Sequence, residues 1–504
     1  MEKIAIIDLG SNTARLVIAR ILDGGYFVIE DEFKESVRLS QDMERDGYLK
    51  APRIAETVKT LKMFKKLCNS HKINTIIPVA TAAVRRAKNQ KSFLEEIAAT
   101  TGIKLRVLSA EEEAAYVYHG VINSMDIPKG LIMEIGGGST KIIHYNRRNI
   151  LFYETLPFGA VTLTELFAND NLKPEEQAAK IEEFFTEQLK QMSWLPTIDE
   201  DTQFIGVGGS FRNLCKIGKM LRKYPLDMIH NYNMGIDDFN NIYDMLKVLD
   251  IDKKKKIKGI STGRADILPS AFSAIKAMVD YKGIKNIVIS GCGLREGLMF
   301  NYAVPQTIEK PITDVMNHSI HTLIRYYELD AEHTARVVDL STQLFKQLRV
   351  LHKFSRINLK ILKVAANLHD CGNRIKYYNH QRHASYMILN SNLFALSHRE
   401  IIMAALTAAA QRKDEVNLND ILKFKDILVE EDLDIIKKLG VMLRIAESFD
   451  RSKGGCIKGI NCDVLGDSVI MKTEQNGDAQ LEVRDAYGAS SDFKKAFRKN
   501  LEII

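Results

Sequence analysis

The sequence predicts an α/β protein in which one domain type occurs twice, followed by a helical domain and a small C-terminal domain. The first observation is an apolar run at residues 4–7 that leads into Asp8 and a Gly-Ser-Asn-Thr turn at residues 10–13. The second is a similar run at residues 131–133 that leads into Glu134 and a Gly-Gly-Gly-Ser-Thr turn at residues 136–140. The third is helical periodicity across residues 312–450. Two similar strand–turn units, each with an acid at the same position, indicate a duplicated fold that closes on one ligand.

Apolar alternation and turn residues define the elements of both repeats. In the first repeat they predict strands at 4–9, 14–22, 26–33, 75–79 and 104–108, and helices at 51–70, 91–100 and 111–122. In the second they predict strands at 131–135, 140–145, 150–156, 204–207 and 286–290, and a long helix at 174–191. The order β-β-β-α-β-α-β-α, occurring twice, predicts two α/β domains that face each other across a cleft.

The character of the chain changes after Pro305 and Pro311. The helical stretch is followed, at residues 456–504, by strand and turn patterns and one basic terminal helix. Strands are predicted at 468–473 and 480–483, around the Asn476-Gly477 turn. We therefore predict four domains, at residues 1–123, 124–305, 306–452 and 453–504, which pack without low-complexity linkers.

The composition is that of an ordinary globular protein with a mild positive charge. Hydrophobic residues make up 45% and charged residues 27%, and the net charge of +7 suits either an anionic ligand or a solvated basic surface. The cysteines form no CxxC pair, which favours reduced thiols over a disulfide framework or a zinc site. No segment approaches the roughly 18 apolar residues of a membrane span. We therefore expect a cytoplasmic protein whose partners include neither a membrane nor nucleic acid.

The two turns contain the residue types that bind phosphate. Glycines let backbone N–H groups approach phosphate oxygens, and hydroxyl or amide side chains add donors. A carboxylate directly before each turn is placed to hold a divalent metal against those oxygens. The predicted metal ligands are Asp8 and Glu134, and the predicted phosphate-binding residues are Ser11, Asn12, Thr13, Gly136, Gly137, Gly138 and Ser139.

Five further motifs give the chain a family resemblance. They are ATAAVRRAKN at 80–89, LSAEEEA at 108–114, GVGGS at 206–210, RADILP at 264–269 and SGCGLREG at 290–297. In this order, and with the two turns, they resemble the exopolyphosphatase / guanosine pentaphosphate phosphohydrolase (Ppx/GppA) family, in its long form with a C-terminal HD-like domain. The resemblance covers nearly the whole chain. It implies duplicated actin-like (ribonuclease H-like) α/β domains, an all-α HD-like domain and a small α+β C-terminal domain.

The resemblance also implies roles for single residues. The family's general base matches Glu113, while Glu111 and Glu112 match ordinary helix-start acids, which the helix dipole favours. Arg264 is either a substrate contact or part of a structural ion pair, and Arg295 and Glu296 are expected to hold the last helix. The remaining phosphate-binding set comprises Arg85, Gly208, Gly209, Ser210 and Arg264.

Two positions depart from the family pattern. Glu134 stands where the family normally has Asp, which keeps the charge and adds a methylene. Lys141 stands where the family normally has Glu. A metal or water site at that position is therefore either lost or replaced by the charge of the lysine itself.

The helical domain contains an HD-like pattern and a basic block. His333, His369-Asp370 and Glu447 resemble the H…HD…D pattern of HD hydrolases, with Glu447 at the last Asp position, and we expect a scaffold without metal chemistry. Residues 351–399 contain eight Lys/Arg and five His but one acid, Asp370. Such a block is either a solvated helical face or the wall of a polyanion channel. The predicted polyanion-binding residues are His380, Arg382 and His383.

The resemblance implies an exopolyphosphatase, which hydrolyses terminal phosphate from inorganic polyphosphate with a divalent cation. Magnesium is the expected cation, with manganese or cobalt as alternatives. Hydrolysis of guanosine pentaphosphate is the alternative activity, and a weakly catalytic or non-catalytic sensor of polyphosphate or an alarmone is the alternative class. The motifs at 80–89 and 111–114 argue against a sugar kinase. The family resemblance also implies a homodimer.

Overall fold

The computed structural model describes residues 2–168, 172–305, 311–412, 416 and 418–504. The chain divides into two compact units, Met1–Val315 and Met316–Ile504. The domain boundary predicted at residues 305/306 adjoins residues 306–310, which lie outside the described part. None of the helices formed by the described residues is long and apolar enough to cross a membrane.

The first lobe of the N-terminal unit is a five-stranded sheet with helices. Its strands are β1 (Lys3–Leu9), β2 (Ala14–Leu22), β3 (Tyr26–Glu35), β4 (Thr75–Ala80) and β5 (Arg106–Val107). Its helices are α1 (Ala51–Ser70), α2 (Ala82–Arg86), α3 (Gln90–Thr101) and α4 (Ala110–Ile122). The strand order is β3-β2-β1-β4-β5, with β1 antiparallel to β2 and parallel to β4. Because β1 is central and its apolar run is fully buried, its carboxyl end places Asp8 at the edge of the sheet.

The second lobe repeats the three-stranded start within a six-stranded sheet of order β10-β11-β9-β6-β7-β8. Its strands are β6 (Lys129–Ile135), β7 (Thr140–Asn146), β8 (Asn149–Leu156), β9 (Gln203–Val207), β10 (Tyr232–Gly235) and β11 (Asn286–Ile289). Its helices are α5 (Ala160–Leu166), α6 (Pro174–Lys190), α7 (Gly208–Arg222), α8 (Ile236–Lys247), α9 (Ile251–Lys255), α10 (Leu268–Lys282) and α11 (Leu294–Ala303). The strand β10, which pairs antiparallel with β11, was not predicted.

The two lobes share a buried core that fixes the cleft between them. One apolar cluster contains Ile4 of β1, Ile132 of β6 and Leu298 of α11. Helices α4 and α11 cross at glycines: a Cβ on Gly120 would lie 2.2 Å from the carbonyl oxygen of Gly293, and a Cβ on Gly297 would lie 1.8 Å from that of Tyr116. The absence of side chains at these two positions therefore allows the helices of opposite lobes to touch.

The C-terminal unit is helical up to residue 448 and ends in a small three-stranded sheet. Its helices are α12 (Val315–Tyr326), α13 (Ala331–Gln347), α14 (Arg349–His352), α15 (Arg356–Leu368), α16 (His380–Leu389), α17 (His398–Ala409), α18 (Leu418–Leu422), α19 (Glu431–Ser448), α20 (Gln480–Tyr487) and α21 (Ser490–Phe497). Its strands are β12 (Ile457–Leu465), β13 (Ser468–Gln475) and β14 (Asn500–Ile503).

The prediction of a strand at 480–483 is wrong, because this segment begins helix α20. Glu482 and Ala486 are its buried residues, and their spacing of one helical turn brings them to one face. The hairpin lies one connection earlier, where Gly466-Asp467 joins β12 to β13, while β14 pairs parallel with β13. The Asn476-Gly477 turn therefore joins a strand to a helix.

Candidate active site

The turns after β1 and β6 meet at one cavity of about 100 Å³ in the N-terminal unit. In each turn a glycine N–H donates to the carbonyl three residues on, Gly10 to Thr13 at 3.0 Å and Gly136 to Ser139 at 2.9 Å. A Cβ on Gly137 would lie 2.9 Å from the Ser11 Cβ. The two turns therefore have the same form and approach each other closely because the second is glycine-rich.

A third turn reaches the same cavity after β9. Gly208 has φ +92°, which favours glycine, and it begins helix α7. Its neighbour Gly209 is in contact with Arg264, since an added Cβ would lie 2.4 Å from the guanidinium carbon. The N-terminus of α7 therefore directs its backbone N–H groups and partial positive charge to the cavity.

Glu113 is buried at the cavity by the way helix α4 begins. Ser109 and Glu112 form a capping box, in which each side chain accepts from the backbone N–H of the other. The next residue, Glu113, is only 4% exposed. The capping box thus accounts for Glu112 as a helix-start residue and leaves Glu113 to face inward.

Lys141 connects two acids of the cavity. Its ammonium group donates to Oε1 of Glu113 and to Oε2 of Glu134, the latter at 2.9 Å, and Arg85 Nη1 donates to Oε2 of Glu113 at 2.9 Å. Burial raises the pKa of Glu113, but Lys141 and Arg85 together hold it below its usual value. Burial lowers the pKa of Lys141, yet Glu113 and Glu134 hold it above its usual value. Both side chains of this buried pair are therefore ionised at neutral pH.

Asp8 has a different environment. Burial raises its pKa to about 6, although the charges of Arg295 and Arg15 oppose part of this rise. Asp8 lines the cavity together with Glu134. A cation bound beside Asp8 would offset the cost of its burial.

Four arginines line the cavity: Arg15, Arg212, Arg264 and Arg295. Burial lowers the pKa of Arg15 to about 9, helped by the charges of Arg212 and Arg295, and burial with the charge of Arg212 lowers that of Arg264 to about 10. An anion among these guanidinium groups would reverse both shifts.

Three residues that line the cavity each carry a buried donor without a hydrogen-bond partner: Nε of Arg212, Nη1 of Arg264 and Nδ2 of Asn12. A buried unpaired donor costs about 1–3 kcal/mol, and more if it is charged. Three such donors around one cavity indicate an anionic ligand.

Comparison with known proteins agrees with this chemistry. Residues 17–304 match the Ppx/GppA phosphatase family, and residues 315–493 match Ppx/GppA phosphatase, domain III. The chain belongs to the Ppx/GppA phosphatase family. Its reaction is therefore the hydrolysis of phosphoanhydride bonds. The family and the actin-like α/β fold predicted from the sequence are confirmed.

Individual relatives show how far this likeness extends. A guanosine-5'-triphosphate,3'-diphosphate pyrophosphatase of Pseudoalteromonas atlantica is 28% identical over 399 residues, which cover 77% of this chain and 75% of that protein. The crystal structure of a Ppx/GppA family member of Aquifex aeolicus is 27% identical with a TM-score of 0.51, covering 60% of this chain and 97% of its own. An exopolyphosphatase of Cytophaga hutchinsonii shares the fold, with a TM-score of 0.57 at 24% identity, over 60% of this chain and 98% of its own.

This Ppx/GppA phosphatase brings most of the predicted residues to the cavity. Those that line it are Asp8, Ser11, Asn12, Thr13, Glu113, Glu134, Gly136, Gly137, Gly138, Ser139, Gly208, Gly209 and Arg264. Ser210 does not, because it is fully buried and its hydroxyl donates to the carbonyl of Ile135 at 3.5 Å. Arg85 also lies outside the lining, where it donates to Glu113 and, at 2.8 Å, to the carbonyl of Leu108. In this structure Arg85 therefore positions Glu113, and its predicted contact with phosphate stays a prediction.

The sequence reasoning missed Arg15 and Arg212 and placed Arg295 only as a structural residue. Arg295 lines the cavity and also donates from Nη1 to Oε1 of Glu32 at 2.6 Å. The hairpin register could have identified Arg15. Arg15 on β2 pairs with Asp8 on β1, just as Lys141 on β7 pairs with Glu134 on β6. Arg212 lies one helical turn after Gly208, on the face that begins at the third phosphate turn.

The residues predicted to bind a polyanion have mixed environments in the C-terminal unit. Arg382 is exposed and His383 is half-buried. His380 is only 6% exposed, and its Nε2 lies 3.8 Å from Oδ1 of Asp370. Its imidazole therefore faces inward in this structure, and the polyanion-binding role predicted for His380 stays a prediction.

The family depends on divalent cations in general, and the residues at the cavity fit such an ion. Mg²⁺ in proteins is held by one or two carboxylates together with substrate phosphates and water. Asp8, which has a raised pKa, and the Oε1 atom of Glu134, which Lys141 does not contact, would supply those carboxylates. Lys141 limits Glu134 to one remaining oxygen.

Proposed function

We propose that the protein is an exopolyphosphatase that hydrolyses the terminal phosphate of inorganic polyphosphate. The observation that carries this proposal is the set of buried, unpartnered donors of Asn12, Arg212 and Arg264 around the cavity. A phosphoryl group spreads its charge over three oxygens, and these N–H groups are suited to donate hydrogen bonds to those oxygens. The glycine-rich turns add backbone N–H groups from both lobes, so the terminal phosphate would be bound between them.

We propose that Glu113 orients the water that attacks the terminal phosphorus and accepts its proton. Lys141 and Arg85 keep the carboxylate ionised and fixed, but they also lower its basicity. Phosphoryl transfer through a loose transition state requires an oriented nucleophile more than a strong base. The depressed pKa of Glu113 is therefore compatible with this role.

Asp8 and Glu134 are proposed to hold the cation, with Mg²⁺ as the first choice and Mn²⁺ or Co²⁺ as alternatives. The bound ion would neutralise charge on the phosphate oxygens. The four arginines of the cavity, Arg15, Arg212, Arg264 and Arg295, would bind the same oxygens from the protein side.

The lining supports an inorganic substrate at the cavity. Among the described lining residues there is no aromatic side chain on which a nucleobase could stack. Guanosine pentaphosphate is kept as the second substrate, because the relative from Pseudoalteromonas atlantica is named for a guanosine phosphate. Its terminal phosphate could enter the same cavity while the base lies outside.

The deciding experiment measures phosphate release from polyphosphate and from guanosine pentaphosphate with Mg²⁺, Mn²⁺ or Co²⁺. We expect a higher kcat/KM for polyphosphate, and activity that chelation removes. A higher kcat/KM for the nucleotide would replace the proposed substrate. If either compound binds but no phosphate is released with Mg²⁺, Mn²⁺ or Co²⁺, the protein is a sensor and the proposed enzyme activity is wrong.

For long chains we propose additional contacts in the C-terminal unit, from Arg382 and His383. Contacts between exposed cations and a polyanion are screened by salt. The double substitution of both residues by alanine should weaken binding of long polyphosphate more at low than at high ionic strength, and leave short chains unaffected. The proposals of a cytoplasmic location and a homodimer rest on the family resemblance, and light scattering of the purified protein tests the homodimer.

A further inference from the structure

A second cluster of potential ligands lies in the C-terminal unit, where α13 packs against the segment between α15 and α16. His333, His369 and Asp370 each offer a ligand atom, and these atoms all lie within 4.8 Å of one another. His333 is 3% exposed and His369 is fully buried. Within the described ranges, no other set of three such residues is this close. The cluster consists of residues that the phosphatase cavity does not use.

The hydrogen bonds of the two imidazoles direct their free nitrogens to Asp370. Nδ1 of His369 lies 2.8 Å from the carbonyl oxygen of Ala366, and because a carbonyl can only accept, Nδ1 carries the proton. Nδ1 of His333 lies 2.7 Å from Oδ2 of Asp450, which favours the same tautomer. In both rings Nε2 then presents a lone pair, 3.7 Å from an oxygen of Asp370.

One of these nitrogens has no partner. Nε2 of His369 is buried and forms no hydrogen bond. A buried unpaired acceptor is costly unless something occupies the space in front of it. A metal-binding histidine usually has one ring nitrogen held by a hydrogen bond and a free lone pair on the other.

A third histidine follows the same pattern. Nδ1 of His380 lies 3.0 Å from the carbonyl oxygen of Tyr377, and its Nε2 lies 3.8 Å from Oδ1 of Asp370. Helix α16 can begin this close because residue 372 is glycine, whose added Cβ would lie 1.9 Å from the His380 carbonyl oxygen. The local backbone therefore brings a third imidazole to the same carboxylate.

The nearby charges limit what the cluster can bind. Glu447, the acid expected to complete the pattern, accepts instead from Arg412 at 3.2 Å and from Arg451 at 3.0 Å. Lys453 lies 4.0 Å from Oδ2 of Asp370, but it is half-exposed and can turn to solvent. The ligand set is therefore rich in nitrogen and contains one carboxylate.

We propose that His333, His369 and Asp370, joined by His380, bind one divalent transition-metal cation such as Zn²⁺, Co²⁺ or Fe²⁺. Imidazole ligands favour these ions over Mg²⁺, which prefers oxygen. Zinc bonds of about 2.0–2.2 Å separate neighbouring ligand atoms by about 3.4 Å in tetrahedral geometry. The nitrogen–oxygen distances are 3.7–3.8 Å, to Oδ2 of Asp370 from His333 and to Oδ1 from His369 and His380. Since the ligand atoms of the three-residue set all lie within 4.8 Å, metal binding would draw them together by at most about 1.4 Å. This departs from the metal-free scaffold expected from the sequence. It does not depend on the proposed phosphatase function, which uses residues of the other unit.

The test is titration of the chelator-treated full-length protein with Co²⁺ and Zn²⁺ in the presence of excess Mg²⁺, followed by calorimetry and by the visible absorption of bound Co²⁺. We expect one site per chain. His369→Gln and Asp370→Asn should each weaken it by about 100-fold or more, since loss of a residue that merely orients a ligand already costs about 10–100-fold. Lys453→Gln should tighten it by about 3–10-fold, because a nearby like charge is removed.

Two control variants show whether metal binding depends on this cluster. His383→Ala removes another histidine of α16, and Glu134→Gln alters the phosphatase cavity. Both should retain the Co²⁺ spectrum and affinity. Circular dichroism and thermal unfolding identify any variant that has lost its fold. The proposal is overturned if no Co²⁺ or Zn²⁺ binds, or if folded His369→Gln and Asp370→Asn bind as tightly as the original protein.

Discussion

The hairpins β1–β2 and β6–β7 each place an acid directly across from a base, Asp8 from Arg15 and Glu134 from Lys141. Residues opposite each other in an antiparallel pair lie on the same face, so both pairs reach the cavity. In the second hairpin the base neutralises the acid, since Lys141 contacts Glu134 and also Glu113.

In the first hairpin the charges are arranged differently. Arg15 donates to Glu32 at 3.2 Å and is crowded by Arg212 and Arg295, while Asp8 has a raised pKa. The first hairpin therefore keeps both an acid that can take a cation and a base that can take an anion. The second uses its base to fix Glu113. The same hairpin thus occurs twice with different roles. The first hairpin is the binding half, which offers an acid and a base to ligands, and the second is the positioning half, which fixes Glu113.

The largest expected effect comes from breaking the second hairpin's charge cluster with Lys141→Met. The substitution leaves Glu113 and Glu134 buried without their shared cation, and breaking a buried ion pair in this way costs about 3–5 kcal/mol. Arg15→Met, the matching change in the first hairpin, should cost less than about 1 kcal/mol, because its partner Glu32 is 45% exposed and keeps Arg295 as a second partner. Urea unfolding of both variants at neutral pH measures the difference. Equal losses of stability would show that the two hairpins are electrostatically alike.

The next effect concerns the group that Lys141 positions. Glu113→Gln keeps the shape of the side chain but removes the carboxylate, and we expect kcat to fall by at least about 100-fold with little change in KM. The neighbouring Glu112→Gln is the control, because Glu112 caps helix α4 at the surface and should leave kcat unchanged. Steady-state phosphate release measures both. If Glu112→Gln lost activity and Glu113→Gln did not, the general base would be assigned to the wrong acid.

A smaller effect tests the binding half. Arg212→Gln removes a buried donor without a partner, and a hydrogen bond to a charged group contributes about 1.5–3 kcal/mol. KM for polyphosphate should therefore rise by about 10–100-fold while the melting temperature stays the same or increases. Arg222→Gln, on the exposed end of the same helix, should leave KM unchanged. An unchanged KM in Arg212→Gln would mean that the orphaned donor does not face the substrate.

The sequence allowed the fold and most of the cavity to be predicted, because both depend on local patterns. The apolar run before Asp8 and the glycines at 136–138 define their elements within a few residues. The sequence also identified Lys141 as a departure. It could not show that Lys141 reaches Glu113, since that contact joins different lobes through tertiary packing.

Arg85 and Arg212 show the same limit. The motif predicted a phosphate contact for Arg85 but gave no sign of its hydrogen bond to Glu113. Arg212 belongs to no motif, and yet it lines the cavity. The strand predicted at 480–483 is wrong because a short segment with few apolar residues fits both the strand period of two and the helix period of 3.6. Burial of Glu482 and Ala486 on one face favours the helix.

The smallest effect concerns the acid of the first hairpin, measured in the absence of divalent cations. The unfolded carboxyl of Asp8 titrates near 3.8 and the folded one near 6, so the native state binds more protons between these values. The free energy of unfolding therefore falls as the pH rises through this window. Asp8→Asn should not show this fall, because its side chain does not titrate. We expect Asp8→Asn to be more stable than the original protein by on the order of 1–3 kcal/mol at about pH 8 and equally stable at about pH 3, below both pKa values. Urea unfolding with a chelator present measures both differences.

Glu134→Gln is the contrasting variant. Because Lys141 neutralises Glu134, removal of the Glu134 charge should lower stability at about pH 8. A destabilised Asp8→Asn at the higher pH would show that Asp8 is already paired like Glu134, and the contrast between the hairpins would not hold.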